Sequence, residues 1–220
     1  MGAPIWDGVT RLESLTEDAA AIRQQLADAA KSYNWDAVLA LLARQGDLIN
    51  CTRLGGRSLY TVLHQAAHGG APADVVEKLL ALGAWRTLRN AERERPVDIA
   101  QRREQVQLVP LLEPVLKRDI PSNVLQSIQQ HFHAVIRERA EQLVREHELR
   151  LPELEPLLEM SEPKMWFSVP GMYGGFHYWL DLIAGDAVLV AESWCRVVGG
   201  SGQRHLISRY GSLLIAEGFV

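Results

Sequence analysis

Cysteine is scarce in this sequence, since only Cys51 and Cys195 occur among 220 residues. Two cysteines so far apart, without framework spacing, fit free thiols in a reducing compartment better than a disulfide-stapled secreted domain. Long apolar runs are missing too: no stretch of about 18 uncharged apolar residues occurs, and the N-terminus lacks a basic region followed by an apolar one. We therefore expect a cytoplasmic protein that does not cross a membrane.

A basic excess is also lacking. The formal net charge is -4 and the isoelectric point is near 6.0. This balance gives no general reason to expect nucleic acid or an anionic membrane as the partner. The hydrophobic content of 47% is ordinary for a globular protein, and 24.6 kDa is enough for one large domain or two small ones.

The segment from Thr61 to Ala84 carries the clearest pattern, TVLHQAAHGGAPADVVEKLLALGA. Ala66 and Ala67 are small where one helix approaches another. The apolar positions that follow recur at the spacing of one buried helical stripe: Val75, Val76, Leu79 and Leu80. The pattern predicts two short antiparallel helices, the second ended by Gly83.

This segment resembles the ankyrin repeat, whose pattern runs TPLH-x-AA, a glycine turn, VV-x-x-LL and GA. Val62 replaces the usual proline, and residues 70–72 look like an insertion. A second, degenerate copy reads ERPVDIAQRREQVQLVPLLEPV, in which Arg95 aligns with Thr61 at about the usual 33-residue period. A third precedes it, LADAAKSYNWDAVLALLARQGDLIN. The resemblance implies an interaction scaffold, in which His64 hydrogen-bonds loop backbone.

Between Pro121 and Leu158 the apolar residues fall at three- and four-residue steps, which predicts a helix of about seven turns with Ser122 as its N-cap. From Lys164 onward, glycine, aromatic and β-branched residues predict short strands. The predicted class is α+β: an ankyrin-like helical array (residues 1–118), a bridging helix (119–160) and a small antiparallel β-sheet (161–220).

The connections between the predicted repeats are basic. NCTRLGGRS carries Arg53 and Arg57, and WRTLRNAERER carries further arginines. The ankyrin resemblance places such connections, with the first helix of each repeat, on a concave binding face. On a chain of net negative charge they predict a positive stripe that pairs with carboxylates of a partner. The predicted partner-binding residues are Arg53, Arg57, Tyr60, Gln65, His68, Arg86, Arg89 and Arg93.

Three other groupings point to chemistry only weakly. His131 and His133 are two residues apart on a helix and so diverge, which disfavours a metal site. Cys195 and His205 are a nucleophile and base only if they meet across neighbouring strands. The loop from Gly199 to His205 has the freedom to hold an anion but lacks the phosphate-loop ending, so a hairpin turn is favoured. We expect no catalytic residue, metal or cofactor.

The expected function is non-enzymatic binding of another protein, whose acidic surface is recognised by the basic connections between the repeats. Small ankyrin proteins with an extra domain are also met as bacterial immunity proteins, so toxin neutralisation is a specialisation by analogy. One alternative is a ligand-binding protein or enzyme whose site lies in the β domain, around Tyr173, His177, Arg196 and His205. Another is a homo-oligomer formed through the long helix. The sequence does not fix the oligomeric state.

Overall fold

The chain has an α+β fold, as predicted. The computed structural model describes residues 4–196 and 201–218, and within them it contains eight α-helices and a six-stranded sheet. The residues form two compact units, Thr10–Val115 and a discontinuous unit of Met1–Val9 with Leu116–Val220. The structure thus groups the first nine residues with the C-terminal half. The predicted domains, which end at residues 118 and 160, place them in the helical array instead.

The first unit is helical. Its buried residues include Leu26, Leu42, Leu63, Val76, Leu79, Ile99 and Leu112, which belong to one continuous core. Short 3-10 helices occur at Leu12–Ser14, Gly46–Asn50 and Val106–Leu108. The six α-helices are α1 (Glu17–Lys31), α2 (Trp35–Leu42), α3 (Val62–Gly69), α4 (Ala73–Ala81), α5 (Pro96–Arg102) and α6 (Val109–Leu112).

Local signals in the sequence explain where these helices begin and end. The Thr16 hydroxyl accepts a hydrogen bond from the Ala19 amide at the start of α1. At the start of α3, the imidazole of His64 accepts a bond of 3.2 Å from the Thr61 amide, which is the N-cap of its own helix. The contact of His64 with a neighbouring loop stays a prediction. Gly83 lies just after α4 with φ of +95°, in the left-handed region that glycine favours. The helices and glycine stop predicted between Thr61 and Ala84 are confirmed.

The second unit packs a long helix on the sheet. The helices are α7 (Ser122–Glu146) and α8 (Glu155–Glu159). The strands follow chain order across the sheet: β1 (Ile5–Trp6), β2 (Lys164–Val169), β3 (Gly174–Ile183), β4 (Asp186–Cys195), β5 (Ser201–Ser208) and β6 (Gly211–Glu217). Pairs from β2 to β6 are antiparallel, as predicted. However, β1 pairs with β2 in parallel, so the sheet is mixed and the fully antiparallel prediction is wrong.

The core of this unit lies between α7 and one face of the sheet. The Phe132 ring of α7 lies 4.9 Å from Tyr178 and 6.2 Å from Phe176 between ring centroids. Six sheet residues that share this face are fully buried or nearly so: Met165, Phe167, Phe176, Tyr178, Leu189 and Ile207. These aromatic residues therefore stabilise the fold by burial.

The long helical segment is shorter than the interval from Pro121 to Leu158. Helix α7 ends at Glu146, and Ala140 inside it has non-helical angles of φ -146° and ψ 29°, which mark a kink. The N-cap prediction is wrong by one residue, because Ser122 is the first helical residue and Pro121 takes the cap position. The apolar stripe of α7 is buried within its own unit.

Candidate functional site

A groove of about 240 Å³ opens in the helical unit between α1, α3 and the connection that precedes α3. Helix α1 contributes Leu26, Ala27, Ala30 and Lys31, and α3 contributes Val62 and Gln65. The connection contributes the remaining wall: Cys51, Thr52, Arg53, Gly56, Arg57, Ser58, Tyr60 and Thr61. Small and aliphatic side chains of the two helices, together with Lys31 and Gln65, thus face polar and basic groups of the connection.

The charge on the groove wall has one sign. Lys31, Arg53 and Arg57 line it, and the described lining includes no aspartate or glutamate. The Arg53 guanidinium donates to Oδ1 of Asp28 at 2.5 Å, and these two side chains are 38% and 62% exposed. Arg57 is exposed and makes no ion pair among the described residues. The groove therefore presents cations that a partner carboxylate can reach.

Four of the predicted partner-binding residues meet here: Arg53, Arg57, Tyr60 and Gln65. His68, a fifth, lies beside the groove because its ring is 6.1 Å from that of Tyr60. Burial, followed by the positive charges of Arg103 and Arg102, lowers the pKa of His68 below its ordinary value of 6.5. A neutral His68 is thus the stable form near neutral pH.

The remaining three predicted residues, Arg86, Arg89 and Arg93, do not line this groove. Nε of Arg86 donates to the Leu111 carbonyl at 2.8 Å, and Nη1 of Arg89 donates to the Arg93 carbonyl at the same distance. Two of these side chains therefore hold backbone within the helical unit. The second connection is as basic in sequence as the first. In the structure, however, Arg86 and Arg89 contact backbone carbonyls, whereas Arg53 and Arg57 line the groove.

Sequence reasoning missed two residues around the groove, Lys31 and Arg102. Lys31 lines it from α1, four residues after Ala27 and so on the same helical face. Arg102 bonds to Glu94 through Nε at 2.7 Å, and its hydrogen bonds to Glu94 and Tyr60 raise its pKa. The helical spacing of Lys31 was visible in the sequence, whereas the approach of Arg102 to Tyr60 depends on packing.

The register of the sheet separates Cys195 from His205. Cys195 faces Ser201, whereas His205 faces Ala191, four positions earlier on β4. At about 3.3 Å per residue, this offset is about 13 Å along the strands. The two side chains therefore do not form a nucleophile and base pair.

The other β-domain residues also fail to converge. His177 pairs with Glu192, while Ala191 faces both Tyr178 and His205, so strand alternation puts His177 and His205 on opposite faces of the sheet. Tyr173 is 77% exposed in the turn between β2 and β3. Of the loop from Gly199 to His205, Gly199 and Gly200 lie outside the described residues, and the rest belongs to β5 rather than to a loop.

His133 of α7 makes a structural contact. Nε2 of His133 donates to the Pro152 carbonyl at 2.7 Å, and burial is the main cause that lowers the pKa of His133.

Across residues 4–196 and 201–218, no cluster of three His, Cys, Asp or Glu side chains is arranged to hold a metal ion. Nor does any helix in those ranges have the length and apolar content to cross a bilayer.

Comparison with known proteins adds no identity. No family model matches the chain, and no curated protein matches it significantly.

Proposed function

We propose that this protein is a non-enzymatic binding scaffold of the ankyrin-repeat type, whose groove takes an acidic segment of another protein. One observation carries the proposal: Lys31, Arg53 and Arg57 converge on one groove that has no carboxylate in its described lining. The repeat-like order of small residues, aliphatic stripe and glycine around α3 and α4 supports the ankyrin part. Neutralisation of a toxin, as an immunity protein, is a specialisation that rests on analogy alone.

The energetics fit recognition of carboxylates. Each exposed ion pair contributes only about 0.2–1 kcal/mol, so three separate surface cations would bind weakly. When they share one concave wall, their fields add, which speeds association and favours acidic partners over neutral ones. Tyr60 and Gln65 add an aromatic surface and an amide that hydrogen-bonds peptide backbone.

The proposal is tested with a library of random short peptides displayed on phage and selected on the purified full chain. We expect enrichment of Asp and Glu, and binding that weakens as salt rises. Arg57→Glu should lower affinity for an enriched peptide about tenfold. Arg44→Glu, the same charge reversal at an exposed residue outside the groove lining, is the matched control and should bind like the wild type.

Circular dichroism should show the same fold for both variants. Selection of peptides without acidic residues, or equal loss of affinity in the two variants, would contradict the proposal. Either result would mean that the groove cations do not recognise carboxylates.

A further inference from the structure

Tyr33 is an exposed aromatic residue in an unusual backbone position. Tyr33 follows α1 with φ of +59°, and the residue is 41% exposed. The Tyr33 amide bonds to the Ala30 carbonyl and the Asn34 amide to the Ala29 carbonyl, which is the Schellman ending of a helix. Glycine or asparagine is usual at this left-handed position, since a β-carbon is disfavoured there. The backbone alone therefore does not favour a tyrosine here.

The Tyr33 side chain is held in place by its neighbours. A β-carbon at Gly69 would overlap the Tyr33 ring, so the ring lies against the glycine backbone at the end of α3. The Tyr33 hydroxyl is hydrogen-bonded to Nδ1 of His68 at 2.9 Å. The ring also contacts Trp35, with 6.0 Å between centroids. An exposed aromatic ring that is already fixed loses little entropy when a partner packs on it.

The rings around Tyr33 form a continuous row that reaches the groove. Tyr33 and His68 are 6.4 Å apart between centroids, and His68 and Tyr60 are 6.1 Å apart. Tyr60, at the end of the row, also lines the cationic groove. We call Trp35, Tyr33, His68 and Tyr60 the aromatic row. A ligand in the groove that extends past Tyr60 would contact this row next.

We infer that the ligand is an acidic polypeptide segment carrying a large apolar or aromatic side chain, which anchors on Tyr33 while the carboxylates occupy the groove. This inference rests on the proposed function and specifies its ligand. The cations of Lys31, Arg53 and Arg57 supply the charge complementarity, and the aromatic row supplies an anchor of the kind that dominates protein interfaces.

A polypeptide fits this surface better than single-stranded nucleic acid does, although both use cations and aromatic rings. The rings of the row contact one another at interplanar angles of 33°, 25° and 63°, so only Tyr33 and His68 are stacked, and the row as a whole presents differently tilted faces and edges rather than one continuous stacking platform. Asp28 pairs with Arg53 next to the groove, and Asp36 lies in the first turn of α2, beside Trp35. A phosphate backbone carries a charge at every nucleotide and would be repelled here, whereas a peptide can place neutral residues beside these carboxylates.

The test uses two displayed libraries of short peptides, both rich in Asp and Glu. One permits Phe, Trp, Tyr, Leu and Pro at the other positions, and the second permits only Gly and Ser. We expect the first library to give the tighter binders. Tyr33→Gly should weaken those binders about tenfold, whereas Tyr33→Phe, which keeps the ring, should weaken them only about twofold.

Glu104→Gly is the matched control, because Glu104 occupies the same position after α5, with φ of +58°. Both glycine variants relieve a left-handed residue, so circular dichroism should show that both fold, and only Tyr33→Gly should lose affinity. If Arg57→Glu abolishes binding but Tyr33→Gly binds like the wild type, this inference is overturned and the proposed function stands. If neither library yields a binder, or if oligothymidine binds more tightly than any peptide, both are overturned.

Discussion

The Arg53 guanidinium on the groove wall is paired with Asp28, with Nη1 2.5 Å from Oδ1. Asp28 is part of α1 and does not itself line the groove. Asp28 therefore competes with a bound carboxylate for the Arg53 guanidinium. The wild-type groove thus offers less positive charge to a partner than its three cations suggest.

Replacing Asp28 with asparagine should strengthen binding of an acidic peptide. The change removes the carboxylate that competes for Arg53, and because the pair is exposed we expect a gain of only about 0.5 kcal/mol, roughly twofold in affinity. Fluorescence anisotropy at low and high salt measures it, and the gain should shrink at high salt. Asp18→Asn, near the start of α1, controls for net charge. A gain of equal size in that control would show that Arg53 is not involved.

Arg86 should stabilise the helical unit rather than bind a partner. Arg86→Ala removes the 2.8 Å hydrogen bond to the Leu111 carbonyl, so the free energy of unfolding should fall by about 2 kcal/mol. Arg93→Ala, at an exposed neighbour in the same connection, should change it by less than about 0.5 kcal/mol. Urea unfolding followed by circular dichroism compares the two. Equal urea midpoints for the two variants would show that the Arg86 hydrogen bond does not stabilise the helical unit.

Gly174 should tolerate no side chain. It pairs with Cys195 across β3 and β4, and a β-carbon there would overlap the carbonyl oxygen of Trp194. Gly174→Ala should therefore destabilise the sheet unit by about 3 kcal/mol, because rigid backbone has to move. Gly46→Ala, where a β-carbon meets nothing within 4 Å, should have little effect. Thermal unfolding midpoints that match for the two variants would disprove the close approach.

Acidification should destabilise the protein partly through His133. Burial lowers the pKa of His133 in the folded chain, whereas the unfolded chain takes up this proton near the ordinary value of 6.5. The unfolded state then binds more protons below pH 6.5, so the contribution of His133 is fully present above that pH and is lost as the pH falls through the folded pKa. His133→Gln should flatten the decline in unfolding free energy below pH 6.5. An unchanged decline in urea titrations would exclude this role.

The sequence by itself determined the elements whose signals are local. The small residues, the aliphatic stripe and Gly83 predicted α3 and α4, because helix spacing and left-handed glycine endings depend on residues a few positions apart. Glycine-separated runs of β-branched and aromatic residues likewise predicted the strands after Lys164. The basic connection at Arg53 and Arg57 was also predicted from the sequence, because its arginines lie only a few positions apart.

Tertiary structure alone decided which residues meet. The parallel pairing of Ile5 with Trp166 joins strands β1 and β2, which are far apart in the sequence, and no local pattern encodes such a contact. Packing turned Arg86 toward a backbone carbonyl while leaving Arg57 beside the groove, although both stand in similarly basic sequences. The register of β4 against β5 separated Cys195 from His205. The sequence does not reveal this register, and each shift of one residue moves the paired side chains by about 3.3 Å along the strands. Long-range packing therefore selected the groove from among the basic segments.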